Sequence, residues 1–491
     1  MNAMAPKPAA TEHQPARDEA LLGVLAPSLY ADHIKVYPRA VQGPFRTVKW
    51  AVLTLCLAVY YGLPWLRWDR GPDAPDQALL LDMSGPRGYF FNIEIWPQEV
   101  YYITGLLILG ALALFLATAL FGRIWCGYTC PQTVWTYLFL LVERWIEGDR
   151  NARMKLDSQP VSANKILRKS AKHALWLLIA AATGGAWIMY FVDAPTVTRE
   201  MLTGGASMAT YFFFGLFTLT TYVLAGWARE QVCTYMCPWP RFQAAMQDEH
   251  SLIVTYQGWR GETRGKHKAG DSWEGRGDCI DCRACVHVCP TGIDIRNGPQ
   301  LECIGCALCI DACDEMMDKV GRPQRLIDFI SLANLERRAQ KQPTVLKLLR
   351  ARTLLYSFLL VLVAAVMLVA LMLRSDVGLS VQQDRSPLYV VLSDGAIRNG
   401  YVVKVSNKTR ESMHLRLGAE GLAGTDLYLA GEQGRHAALE LVIEPDEIAE
   451  YHVFVRAPRR AGDSMASMDF VLRDDGGREV ERLRTQFAMP K

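Results

Sequence analysis

Eight cysteines between residues 279 and 313 have the spacing of iron–sulfur ligands. They read Cys279-x2-Cys282-x2-Cys285-x3-Cys289-Pro290, then Cys303-x2-Cys306-x2-Cys309-x3-Cys313. This is the bacterial ferredoxin run written twice. Thiolates so spaced on a tight loop reach three corners of one iron–sulfur cube, and the fourth cysteine of each run ligates the other cube. The spacing therefore assigns Cys279, Cys282, Cys285 and Cys313 to one [4Fe–4S] cluster, and Cys303, Cys306, Cys309 and Cys289 to a second. Structural zinc takes its ligands in two pairs, not in two four-cysteine runs ending in x3. Asp314 stands where the second run would usually carry proline, which alters the turn but removes no ligand.

Two more cysteine pairs repeat one pattern, Cys-x-Tyr-x-Cys-Pro: Cys126-Gly-Tyr128-Thr-Cys130-Pro131 and Cys233-Thr-Tyr235-Met236-Cys237-Pro238. Residues four apart share a helix face, so both sulfurs of a pair point the same way. Proline after the second cysteine ends or kinks the helix. Two such ends facing each other present four thiolates, a soft donor set that suits Cu(I) or a further iron–sulfur centre. Arg123 and Arg229 precede the pairs and would help to keep the thiols ionised. Met236 is a further candidate soft ligand, and His173 and His250 could assist a metal but read as interfacial residues. Cys56 lies alone in an apolar run and reads as packing. The spacing leaves open whether the four thiols meet within one chain or across a homodimer.

These groups need elements to hold them. Five stretches are long and apolar enough to span a bilayer: Val48–Leu66, Val100–Phe121, Ala174–Val192, Thr210–Ala228 and Leu354–Leu373. Only Lys49 brings a charge into any of them, at the edge of the first. Lys and Arg crowd the segment before the first span and the connection 144–172, whereas Trp68–Glu99 and Asp193–Ala209 are poor in them. The positive-inside rule then puts the N-terminus and the cluster segment in the cytoplasm and the C-terminal part in the periplasm. Thr133–Glu147 is apolar but short, and reads as an interfacial or re-entrant helix. Gln257–Gly277 reads as a linker, and Leu326–Arg338 as a helix leading back to the membrane.

The C-terminal part has no cysteine and alternates in short runs, such as Leu388–Leu392, Tyr401–Ser406, Ala438–Ile443, Tyr451–Arg456 and Met468–Leu472. With turn signals between them, about seven strands of an immunoglobulin-like sandwich are expected. His414, His436 and His452 read as ordinary strand or surface residues.

The expected organisation has several domains. Residues 1–46 form a cytoplasmic segment, and 47–256 an α-helical membrane bundle carrying both Cys-x3-Cys-Pro motifs. Residues 257–352 form an inserted α+β module with two [4Fe–4S] clusters, 353–374 a fifth span and 375–491 the all-β domain. A net charge of +3 gives no case for nucleic acid. The chain has no Gly-rich dinucleotide fingerprint, P-loop or haem-attachment motif, so its electrons come from a partner.

In its motifs the chain resembles the bacterial cytochrome c oxidase accessory proteins of the CcoG/FixG/RdxA type. The resemblance rests on residues 121–135, 229–239, 289–296, 309–321 and the tail 395–408. It implies an inner-membrane protein that reduces Cu(II) to Cu(I) for the copper centre of a cbb-type oxidase. Cys126, Cys130, Cys233 and Cys237 would hold copper, and copper chaperones or oxidase subunits would receive it. Other functions also fit the motifs: a quinol-linked electron conduit, or a non-catalytic assembly scaffold. The four thiols equally fit a disulfide relay or a third iron–sulfur centre.

Overall fold

The computed structural model describes residues 35–71, 74–268, 270–431, 434–459 and 464–490. Most of the expected cytoplasmic segment 1–46 therefore lies outside the described residues. The chain divides into two compact units, 1–364 and 365–491.

The first unit is a helical bundle with the cysteine-rich module packed on one end. Its first helix, α1 (Pro44–Gly62), starts on a proline, where the missing N–H costs nothing. A three-stranded antiparallel meander follows, β1 (Leu79–Asp82), β2 (Arg87–Phe90) and β3 (Ile93–Ile95). Then come α2 (Tyr101–Phe121), α3 (Pro131–Glu147), α4 (Arg150–Ser158) and α5 (Ala163–Ile188). After α6 (Ala194–Thr203) and α7 (Met208–Thr221), a π-helical stretch Tyr222–Ala228 leads through α8 (Arg229–Gln231) to a second π-turn.

Among the described residues four helical segments are long and apolar enough to cross a membrane: Pro44–Trp65, Pro97–Phe121, Met208–Met236 and Ala351–Met372. The third expected span, Ala174–Val192, is not among them. Its helix stops at Ile188, and its first three turns carry Lys165, Arg168, Lys169 and Lys172. α5 nevertheless runs the height of the bundle beside α1. At one end Ala40 N–H reaches Asp149 (3.0 Å) and Lys35 pairs with Asp157 (2.7 Å), just before α5 begins. At the other, Leu81 N–H reaches Tyr190 C=O (2.8 Å) and Arg67 pairs with Asp193 (2.7 Å), just after it ends. Buried Ala180, Thr183, Gly184 and Ala186 on α5 let α7 approach closely.

Helix α3, expected as interfacial or re-entrant, is a core element. It buries Thr133, Val134, Tyr137, Phe139, Leu140, Val142 and Glu143 between bundle and module.

The module comprises α9 (Trp239–Met246), β4 (Leu252–Tyr256), α10 (Gly258–Gly261), α11 (Ala284–Val288), α12 (Leu308–Lys319), β5 (Ile327–Ser331) and α13 (Leu332–Ala339). β4 and β5 pair antiparallel from Leu252↔Ser331 to Tyr256↔Ile327. The paired fold thus starts at Leu252, on the membrane side of the expected boundary at 257. It also makes the first half of Leu326–Arg338 a strand: Ile-Asp-Phe-Ile-Ser alternates, and Ser331 then caps α13 by accepting Asn334 N–H (3.3 Å). The last long helix is α14 (Ala351–Met372).

The second unit is a two-sheet antiparallel sandwich. One sheet runs β10 (Asp426–Leu429), β12 (Ile448–Ala457), β8 (Ile397–Asn407) and β6 (Val377–Gln383), with β7 (Val390–Val391) also on β8. The other runs β11 (Ala438–Ile443), β9 (Met413–Glu420), β13 (Met465–Asp474) and β14 (Glu479–Ala488). Tyr401, Val403, Val405, Leu427, Val453, Val455, Phe470 and Phe487 fill the core between them. Three strands had no clear sequence signal: β6 is interrupted by Gly378, β10 is short, and the edge strand β14 is charged along its exposed length.

Candidate iron–sulfur and thiol site

The eight module cysteines surround two small cavities. Cys279, Cys282, Cys285 and Cys313 line one, with Arg296 on its wall. Cys289, Cys303, Cys306 and Cys309 line the other, which Cys285 also borders. Each cavity thus draws its fourth cysteine from the opposite run. The loops fold this way because Asp281, Arg283, Gly305 and Ala307 all adopt positive φ, curling each Cys-x2-Cys-x2-Cys segment around a centre. Among the described residues no three His, Cys, Asp or Glu side chains stand close enough to chelate a single ion. Four cysteines around each cavity are the ligand set of a [4Fe–4S] cube. No disulfide joins any of the thirteen cysteines.

The two cavities sit differently in the unit. Cys282 of the first is exposed, while its equivalent Cys306 is buried. Cys306 and Ile304 share an apolar core with Cys126, Leu53, Val134 and Tyr137, against which Cys233 and Cys309 also pack. The second cavity is therefore proximal to the bundle and the first distal.

The proximal loop docks on the first Cys-x3-Cys-Pro motif. A Cβ on Gly127 would come within 3.0 Å of the Ile304 and Gly305 carbonyls. One on Gly305, which also needs its φ of +69°, would lie 3.2 Å from Arg123 C=O. Only glycines allow this approach. Arg123 donates to Leu301 C=O, to Cys303 C=O (3.1 Å) and to Pro240 C=O (3.0 Å). One guanidinium thus ties the first motif to the proximal loop and to the chain just past the second motif.

The two motifs share one backbone geometry, a π-turn rather than the expected α-helical one. Trp125–Thr129 closes with Cys130 N–H to Trp125 C=O (2.9 Å), and Val232–Met236 with Cys237 N–H to Val232 C=O (2.8 Å). Such turns recur at functional sites. After each, the proline halts the turn and starts a new helix, α3 or α9.

The motifs meet within one chain. The Cys126 thiol donates to Gln243 on α9 (3.0 Å), and Gln132 of α3 donates to Leu224 C=O (2.8 Å) and Arg229 C=O (3.1 Å). The sulfurs of Cys130, Cys233 and Cys237 are all near enough for their charge to bear on Cys126. Burial pushes the Cys126 thiol up to about 12, and the neighbouring sulfurs push the same way. Arg123 pulls it down by less, so it does not hold this thiol ionised as the sequence suggested. Nor is Arg229 free to act on the thiols. It donates to Gly226 C=O (2.7 Å) and pairs with buried Glu143, which also holds Arg153 (2.7 Å). Gln243 and Glu143 had no sequence signal, since their roles depend on elements 80 to 120 residues away.

Other candidates fall outside this group. Met236 is 63% exposed. His173 bonds Tyr222 through Nδ1 (2.9 Å), and His250 lies 3.4 Å from Glu249. In the sandwich, His452 meets Asp384 (2.9 Å). Cys56 packs against the core that holds Cys126 and Cys306. Asp314 accepts Arg325 N–H (2.7 Å), tying α12 to the segment leading into β5.

Known families match three parts of the chain. Residues 228–332 match a 4Fe-4S dicluster domain, 103–147 a 4Fe-4S binding domain, and 367–490 the Ig-like fold at the C-terminus of FixG. The chain is 44% identical to nitrogen fixation protein FixG of Rhizobium meliloti (strain 1021), over 94% of each chain. It is 50% identical to protein RdxB of Cereibacter sphaeroides, over 88% of this chain and 90% of that one. To protein RdxA of the same organism it is 46% identical, over 92% and 96%.

Proposed function

The chain belongs to the FixG/RdxA family of membrane iron–sulfur proteins, and from that premise we propose that it reduces Cu(II) to Cu(I) for the copper centre of a cbb-type cytochrome c oxidase. It does so in the bacterial inner membrane, with the module in the cytoplasm and the sandwich in the periplasm. Cys279, Cys282, Cys285 and Cys313 hold the distal [4Fe–4S] cluster, and Cys289, Cys303, Cys306 and Cys309 the proximal one. Bound there, each cluster supplies one electron at a time, and Cu(II) is the substrate that accepts it. Cys126, Cys130, Cys233 and Cys237 receive the ion. Their soft sulfurs favour Cu(I) over Cu(II) and keep it for a copper chaperone or an oxidase subunit. A soluble cytoplasmic donor meets the exposed Cys282 edge.

The observation that carries this reading is the shared core of Cys126, Cys233, Cys306 and Cys309. It leaves a short path from the proximal ligands to the thiol group. The test is anaerobic: reduce the purified protein, remove excess reductant, add Cu(II), and follow Cu(I) with a chelator together with cluster oxidation. Cu(I) should appear as the clusters oxidise, and should fail to appear when the four bundle cysteines are serine while iron content is unchanged. Clusters that stay reduced in the presence of Cu(II) would sink the reading.

One observation favours a second reading of the same thiols. The segment 103–147, whose cysteines are Cys126 and Cys130, matches a 4Fe-4S binding domain, and no three bundle cysteines stand close enough for one ion. A third cluster would raise iron from about eight to about twelve atoms per chain. Elemental analysis separates the two.

A further inference from the structure

Lys49 is a charge that the path from proximal cavity to thiols does not yet use. It lies in α1, in an otherwise apolar stretch, yet is 1% exposed. Its face of the helix continues through Leu53 and Cys56, at i+4 and i+7, into the core shared by Cys126 and Cys306. The ammonium sits 3.4 Å from the Tyr137 ring centroid and has no hydrogen-bond partner among the described residues. The ionisable groups that bear on it most are Cys306, Cys289, Arg144 and Cys233. Two are proximal cluster ligands and one is a bundle thiol.

A buried ammonium without a counter-charge costs several kcal/mol, and an anion beside it offsets that cost and keeps it charged. A cluster held by four thiolates is such an anion, and it gains negative charge on reduction. A nearby cation in a low dielectric stabilises the reduced form. Among the described residues the distal cavity has no cation that is both buried and unpaired: Arg283 on its wall is exposed to solvent. Its Arg296 is matched by Asp281 (2.6 Å) and Asp294 (2.7 Å), and its neighbours Arg260 and Arg322 both pair with Asp278.

We propose that Lys49 is a built-in cation that raises the reduction potential of the proximal cluster above that of the distal one, directing electrons toward the bundle thiols. Lys49 is a positioning residue for charge and touches no substrate. The inference rests on the ligand assignment proposed above. It does not depend on whether the thiols receive copper or hold a third cluster.

The test is an EPR-monitored redox titration of the full-length protein in detergent. The wild type should show two separated cluster midpoints. Lys49→Met should lower the higher midpoint and leave the lower one in place. Lys49→Arg, which keeps the charge, should restore most of the wild-type value. The proposal is overturned if Lys49→Met moves neither midpoint or both equally, or if Lys49→Arg shifts the midpoint as far as Lys49→Met does. Iron and sulfide content of the wild type tests the cluster assignment separately. A value that does not fit whole clusters would remove the premise whatever Lys49 does.

Discussion

The two cysteine runs have identical spacing and different surroundings. Aligned on their cysteines, Asp281 corresponds to Gly305, Arg283 to Ala307, and exposed Cys282 to buried Cys306. The distal loop carries charge and faces solvent. In the proximal loop Gly305 and Ala307 stand in place of Asp281 and Arg283, and Gly305 lets the backbone reach Arg123 and Gly127. Ligand spacing therefore specifies what is bound, while the residues between the ligands specify what the loop may touch. One face is open to solvent and the other is closed against the thiols.

Serine at the two equivalent cysteines separates these duties most sharply. Cys306→Ser should cost the proximal cluster and abolish Cu(II) reduction whichever reductant charged the protein, once the excess is removed. Cys282→Ser should cost the distal cluster, yet leave Cu(II) reduction when a small reductant charges the proximal one directly. Chelator-trapped Cu(I) and iron content together read both outcomes. Equal loss in the two variants would mean that the proximal cluster cannot be charged except through the distal one.

The proximal side also rests on a buried charge network that reaches into the bundle, whereas its distal counterpart, Asp278 with Arg260 and Arg322, stays within the module. Glu143 pairs with Arg153 and Arg229, anchoring the start of the second thiol motif on α3. Glu143→Ala leaves two buried guanidinium groups without their carboxylate, which should cost about 3–5 kcal/mol. A thermal melt in detergent would show it as a lowered Tm, with module iron retained longer than the packing of the bundle.

Exchanging the loop residues themselves tests the docking. Gly305→Asp places a Cβ at positive φ, about 1–2 kcal/mol of strain, and buries a carboxylate against Arg123 C=O. The expected result is cleavage of the module by limited proteolysis with both clusters still present. Asp281→Gly, the reverse exchange, should leave docking intact and cost only the pairing with Arg296.

Much of this was legible in the sequence, for reasons that differ by region. The eight-cysteine run and the repeated Cys-x-Tyr-x-Cys-Pro motif are local patterns, because loops and helix ends are set by neighbours in sequence. The sandwich was recognisable from its alternating buried strands, but β14 was missed because an edge strand need not alternate. The β1–β3 meander was missed too, since its short strands sit in a loop held by tertiary bonds such as Gln77 to Met189 (2.6 Å). The facing of proximal loop and thiols is a contact across about 180 residues, and no spacing rule reports it. Two clues were nonetheless present: the uncharged Gly305 and Ala307, and a lysine inside an apolar run, which is costly unless it has a role.

The mildest test of the asymmetry lies on the exposed edge. Arg283 is exposed beside Cys282, so its charge is screened and contributes little to folding. Its effect should appear only in electron entry from a charged protein donor. A single surface charge near an encounter site is worth about 1 kcal/mol, so Arg283→Ser should change the entry rate by roughly fivefold at most at low salt. Beyond a Debye length of about 10 Å at 0.1 M the change should fade, and a small neutral reductant should see none of it. Stopped-flow bleaching of the clusters at two ionic strengths measures this. A salt-independent change, or one shared by the small reductant, would mean that Arg283 acts on the distal cluster itself. The exposed edge would then not be the donor's landing site.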